Sequence, residues 1–241
     1  MQTLIFENSA RLADAVSDEI ITTLKNKPES LLCMASGHSP KMTCEFFTDK
    51  IKKGEADGSR FHFVGLDEWL GVMPSTPGSC YNDFRERIFE PLGFDSSRYH
   101  LFAGMSEDPE TECRRMDEYI DARGGIDLMI VGLGLNGHIG FNEPGCNFNA
   151  RSHVAVLDET TATVGQKYFQ SPTKLDKGIT LGFAHLRAAK KVILIASGKA
   201  KASIVYKSFN GAVTNSVPAS IMQELPNGLV MLDAEAAELL Q

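Results

Sequence analysis

Three features of this 241-residue chain point to an α/β fold: a single doubly wound, mostly parallel sheet with helices on both faces. Short, nearly continuous apolar runs alternate with longer segments whose apolar residues recur at helical spacing. The runs break off into loops rich in Gly, Ser, Asn and Asp, as parallel strands do at their carboxyl ends. No linker, repeat or low-complexity stretch intervenes, so residues 1–241 read as one domain.

Residues 3–6 form a short strand. Ser9 caps a helix to about residue 25, because Leu12, Val16, Ile20 and Leu24 make one apolar stripe. Residues 31–35 are a buried strand, and the turn Ser36-Gly37-His38-Ser39-Pro40 opens a helix to about residue 53, with Pro40 suited to a first helical turn. A third strand over 61–66 ends at Asp67-Glu68-Trp69. After the Pro74 and Pro77 loop comes a helix over 79–89, and a further helix over 110–122 stops at Gly124-Gly125. Strands follow at 126–131, 154–157, 179–181 and 191–196, then helices at 198–209 and 218–224 and a final strand at 229–232. Such alternation implies a Rossmann-like arrangement.

A hydrophobic content of 43% with 23% charged residues is that of an ordinary globular domain. The net charge of −7, without a basic block, argues against nucleic acid or an anionic membrane as partner, so an anionic ligand needs a local cluster of donors. There is no apolar run of roughly 18 residues and no signal peptide, which makes the cytoplasm the expected location. Cys33, Cys44, Cys80, Cys113 and Cys146 include no C-x-x-C pair, as suits a reducing compartment without a zinc or redox site. Cys146 borders the glycine loop described next and reads as an inert thiol.

The stretch 131–145, Val-Gly-Leu-Gly-Leu-Asn-Gly-His-Ile-Gly-Phe-Asn-Glu-Pro-Gly, places polar groups among glycines directly after a buried strand. Asn136, His138, Asn142 and Glu143 can converge there, while the glycines let a ligand approach the backbone. Gly132-x-Gly134-x-x-Gly137, with Asp158 downstream, imitates a dinucleotide fingerprint. Gly140, Pro144 and Gly145 argue against the helix such a site needs, so no nicotinamide is expected.

Three other strand ends carry chemistry. The Ser36–Ser39 turn offers backbone N–H groups and hydroxyls at a helix start, an arrangement that suits an anion. Gly198-Lys199-Ala200-Lys201 repeats it, and two lysines at a helix start conflict with the dipole unless an anion offsets them. Together the two turns point to a phosphorylated substrate. Asp67 stands where a carboxylate can be desolvated and serve as a base toward a carbon acid.

The segments 63–69, 132–145 and the Ser-Gly-x-Ser-Pro turn resemble the glucosamine-6-phosphate deaminase (isomerase) family nearly end to end, and Leu66-Asp67-Glu68-Trp69 with Pro77-Gly78-Ser79-Cys80 looks closer to its galactosamine-6-phosphate branch. The resemblance implies an aldose–ketose isomerisation of a small phosphorylated amino sugar that releases ammonia, with no metal and no organic cofactor. It implies that Asp67 moves the C2 proton to C1 and that His138, oriented by Glu143 and Asn136, moves the ring-opening proton. Ser36, Gly37, His38, Ser39, Lys167 and Lys201 would hold the phosphate. Homo-oligomers are common in the family, so one is expected here. Asn136 departs from the Asp of many members, and Lys167 stands for an Arg, a weaker, non-bidentate partner. His153 replaces an Arg of allosterically activated members and the C-terminus is shorter, so such control is not expected. Two other classes are weaker. A 6-phosphogluconolactonase would not need Asp67 or the Phe-Asn-Glu-Pro ending, and a sugar-phosphate sensor would need a DNA-binding element where residue 3 already begins a strand.

Overall fold

The computed structural model describes residues 2–240. Its strands are β1 (Gln2–Phe6), β2 (Leu31–Met34), β3 (His62–Gly65), β4 (Asp67–Trp69), β5 (Tyr99–His100), β6 (Leu128–Gly132), β7 (His153–Val156), β8 (Lys177–Thr180), β9 (Val192–Ala196) and β10 (Gly228–Asp233). The α-helices are α1 (Ser9–Asn26), α2 (His38–Lys52), α3 (Cys80–Phe84), α4 (Glu90–Leu92), α5 (Pro109–Asp121), α6 (Glu159–Gly165), α7 (Phe183–Ala188) and α8 (Ala202–Phe209).

A 7-stranded sheet in the order β1-β10-β9-β6-β2-β3-β5 is parallel throughout, as expected. Both faces are covered at its central strands, which is why β2, β6 and β9 read as continuous apolar runs. Leu32, Met34, Leu128, Ile130, Ile193 and Ile195 point into one core with Val16, Ile20 and Leu24 of α1 and Phe47 of α2. The alternate residues Cys33, Met129, Val131, Val192 and Leu194 point into the other, with Met116 and Ile120 of α5 and Val205 of α8. Among the described residues no helix is long and apolar enough to cross a membrane.

The expected single sheet needs correcting. The segments after Leu66, around Val154 and around Ile179 leave the main sheet and form a 3-stranded antiparallel sheet, β4-β8-β7. Leu66 is the branch point: its N–H still donates to Met34 in the parallel sheet, whereas its carbonyl accepts from Leu181 beside the small one. The short β5 was not anticipated, because two residues carry no periodic signal. Asn8, not Ser9, caps α1 and accepts from the Arg11 N–H at 3.0 Å. The expected helix over 79–89 is α3 followed by a π turn at Arg85–Phe89, and Pro218–Glu224 is a 3-10 helix.

Candidate active site

From β2 the chain proceeds outward to β3, and from β6 it proceeds the opposite way to β9, so the loops after β2 and β6 diverge and leave a crevice. A cleft of about 820 Å³ opens there. Ser36, Gly37, His38, Ser39, Asp67, Asn136, His138, Lys167 and Lys201 all line it. Glu143 does not. It is 8% exposed and stands behind the lining, in contact with the cleft residues His138 and Asn136.

Asp67 and Glu68 are adjacent, yet their alternation along β4 sends them to different places. Asp67 faces the cleft, with its Oδ1 3.6 Å from the Cys80 thiol, which donates to it. Burial and the charge of Glu68 push the Asp67 carboxyl up to about 7. Glu68 is 2% exposed and accepts the backbone N–H groups of Trp69, Cys80 and Tyr81 at 2.9, 3.0 and 2.8 Å. It fastens the start of α3 to β4. The acidic pair therefore divides into a group available for chemistry and a structural anchor.

His138 is set by its loop. A Cβ on Gly134 would stand 2.3 Å from the imidazole, so only glycine leaves room for the ring. Gly137 turns the chain with φ 89°, and Asn136 accepts the His138 N–H at 3.1 Å. Behind the ring, Nδ1 lies 2.9 Å from Thr161 Oγ1 and 3.4 Å from Glu143 Oε2, and Asn136 donates to Glu143 at 2.8 Å. Burial raises the Glu143 carboxyl, but hydrogen bonds from His138, Thr161 and Asn136 outweigh it and hold the group below its usual value. Asn142 sits apart from this cluster, donating to the carbonyls of Ile139 and Leu181. After Gly137 the chain makes turns and an Ile139–Asn142 bridge instead of a helix, and Asp158 caps α6 through Thr160. The dinucleotide resemblance thus lacks both of its supports.

The two anion turns differ from expectation. Gly37 opens α2 with φ 94°, but its N–H donates to Asp83 at 3.2 Å, and Asp83 in turn pairs with Arg87. At the second turn the Gly198 N–H is shared by both oxygens of Asp233 at 3.0 Å, and the Lys199 N–H donates to Glu235. Lys199 reaches outward to Glu238, and a 3-10 turn precedes α8. Carboxylates from the end of β10 and beyond thus supply the negative charge that the sequence reading assigned to a bound anion. Lys201 alone turns inward, its ammonium 2.5 Å from the Leu133 carbonyl, and burial lowers it to about 8. Lys167 is exposed on a 3-10 turn, Gln166–Tyr168, at the rim.

Sequence reasoning missed Thr161, Tyr168 and the role of Cys80. The Tyr168 hydroxyl lies 3.1 Å from where a Gly37 Cβ would stand, so the glycine makes room for the phenol as well as for the turn. The only hint was the Asp-Glu-Thr-Thr start of α6, which reads as an ordinary cap.

Residues 7–230 match the model of a family described as glucosamine-6-phosphate isomerases/6-phosphogluconolactonase. A glucosamine-6-phosphate deaminase of Thermoanaerobacter pseudethanolicus is 34% identical over 241 residues, 100% of this chain and 95% of that one. Its counterpart in Halothermothrix orenii is 36% identical, with 100% of each chain covered. A solved structure described as a monomeric glucosamine-6-phosphate deaminase superposes with a TM-score of 0.95 at 32% identity, covering 99% of this chain and 100% of that one. With agreement over this length, the chain belongs to the family of glucosamine-6-phosphate isomerases and 6-phosphogluconolactonases.

Proposed function

We propose that this protein is an amino-sugar 6-phosphate deaminase, converting an aldose substrate to a ketohexose 6-phosphate and ammonia. The observation that carries the reading is a cleft carboxylate, Asp67, held near neutrality at about 7, in the same crevice as a histidine with a buried carboxylate behind it. A base of that strength is ionised in part at physiological pH and strong enough to take a proton from carbon beside an aldehyde. The names of the similar proteins point the same way.

In this reading His138 moves the proton that opens the sugar ring. Asp67 then removes the C2 proton from the open-chain aldehyde, giving an enolamine, and returns it at C1. The product is a protonated imine at C2. Water adds to that carbon, and ammonia leaves to give the ketone. Lys201 holds the phosphate with the Ser36 and Ser39 hydroxyls, and Lys167 guards the rim. The Gly37 N–H contributes less than the bare turn suggests, since Asp83 already uses it. Every group invoked comes from one chain, so the chemistry itself does not need the expected homo-oligomer. The five free thiols suit a reducing cytoplasm.

A lactonase would have no use for a carbon-acid base, so Asp67 favours isomerisation. The test is ammonia release from glucosamine 6-phosphate and galactosamine 6-phosphate beside hydrolysis of 6-phosphogluconolactone. Ammonia from either amino sugar supports the reading, and the faster one assigns the epimer, where the Leu66–Trp69 segment favours galactosamine. Lactone hydrolysis without ammonia release overturns it.

A further inference from the structure

Thr161 sits on α6, 4% exposed, on a different element from the glycine loop, yet its hydroxyl is nearer to His138 Nδ1 than the Glu143 carboxylate is, 2.9 against 3.4 Å. Asn136 Oδ1 accepts the His138 backbone N–H, which fixes the amide's orientation and leaves its Nδ2 to donate. That Nδ2 donates to Glu143 Oε2 at 2.8 Å and more weakly to Thr161 Oγ1 at 3.4 Å. If Nδ1 carried no proton, its lone pair would face the Glu143 carboxylate, a repulsive arrangement in a buried site. With a proton on Nδ1 the same pair attracts, and Thr161 Oγ1 accepts at good distance. The Thr161 hydroxyl proton then turns to Glu143, consistent with the contribution of Thr161 to holding that carboxyl down.

We propose that Thr161 is a positioning residue that holds His138 as the Nδ1–H tautomer, leaving the Nε2 lone pair on the ring edge beside Gly134 and the cleft. His138 then enters each cycle as a base and becomes an acid only after taking a proton. Asn136 supports the arrangement without being able to replace Thr161, because its amide nitrogen only donates. The catalytic consequence rests on the function proposed above, whereas the tautomer does not.

The experiment compares wild type, Thr161→Val and Thr161→Ser by ¹⁵N NMR of labelled histidine in the ligand-free protein, and by steady-state kinetics of ammonia release. In wild type and Thr161→Ser the His138 Nδ1 is expected to be protonated and Nε2 unprotonated. Thr161→Val, similar in shape but without the hydroxyl, leaves Nδ1 only the long 3.4 Å contact to Glu143, too weak to fix the tautomer alone, and is expected to show mixed tautomers and to lose at least roughly 10-fold in kcat while KM changes little. Thr161→Ser recovers most of the rate. A wild-type spectrum with the proton on Nε2 overturns the proposal, whether or not Thr161→Val folds. So does a folded Thr161→Val with wild-type tautomer and kcat. Spectra as expected from a protein that releases no ammonia would refute the proposed function and leave the role of Thr161 standing.

Discussion

Replacing Lys201 with Met separates the two effects that its proposed role in phosphate binding combines. In the ligand-free protein the half-buried ammonium lies against the Leu133 carbonyl, and burial lowers it from the usual 10.5 to about 8. That difference corresponds to at most about 3 kcal/mol of destabilisation at pH 7, where the group is charged in both folded and unfolded chains. Methionine keeps the apolar stem and removes the charge, so the ligand-free melting temperature should rise by several degrees at pH 7, at roughly 2–4 °C per kcal/mol for a chain of this size. The sign reverses the usual lysine case. Because the folded state gives up its proton first, wild-type stability improves as pH rises from about 8 toward 10.5, and the gap to the variant should close over that window. With substrate the order inverts, since a charge-assisted contact is worth about 1.5–3 kcal/mol and its loss should raise KM roughly 10- to 100-fold. Thermal melts at pH 7 and 10 and kinetics with the phosphorylated sugar read out both. An unchanged KM with a large fall in apo stability would make Lys201 structural and move the phosphate to Lys167.

Asp67→Asn should cut deamination by ~10²–10⁴ while leaving phosphate-ester binding nearly intact. The wild-type carboxyl is raised to about 7, so a stability penalty builds as pH rises above about 4; the variant should therefore melt higher than wild type at pH 8 and match it at pH 4. Cys80→Ala removes the thiol that donates to Asp67, so the rise of kcat/KM with pH through about 7 should move to higher pH; an unmoved profile would deny the contact a catalytic role. Gly134→Ala drives a Cβ to within 2.3 Å of the His138 ring and should cost on the order of 10² in kcat, as displacements near 1 Å do; full activity would mean that the ring is free to sit elsewhere. Prolonged chelation should leave activity unchanged, and a loss restored by one divalent ion would refute metal-free chemistry.

The parts legible in the sequence were those fixed by local pattern. Continuous apolar runs located every strand of the parallel sheet except β5, and the residues at their ends named much of the lining of the cleft, since a strand's carboxyl end is where a parallel sheet exposes side chains to a ligand. What escaped was decided over long distances. Nothing near Gly37 or Gly198 tells that Asp83 and Asp233 will take their N–H groups, 46 and 35 residues away. Asp67-Glu68-Trp69 pairs antiparallel with β8 more than a hundred residues later, and three residues show no period of their own. Thr161 looked like a helix-start residue because its partner, the His138 ring, lies 23 positions earlier on another element.

Central to this account is the transfer of a proton from C2 to C1 by Asp67. Conversion of the amino-sugar 6-phosphate in deuterium oxide, with ammonia counted and the C1 protons of the ketose product read by NMR, tests it most directly. Wild type should release one ammonia per ketose and place deuterium at C1 in proportion to the exchange of Asp67 with solvent, and Asp67→Asn should do neither. Undiminished ammonia release from Asp67→Asn, or deuterium entering at C1 at the wild-type rate without that carboxylate, would contradict it.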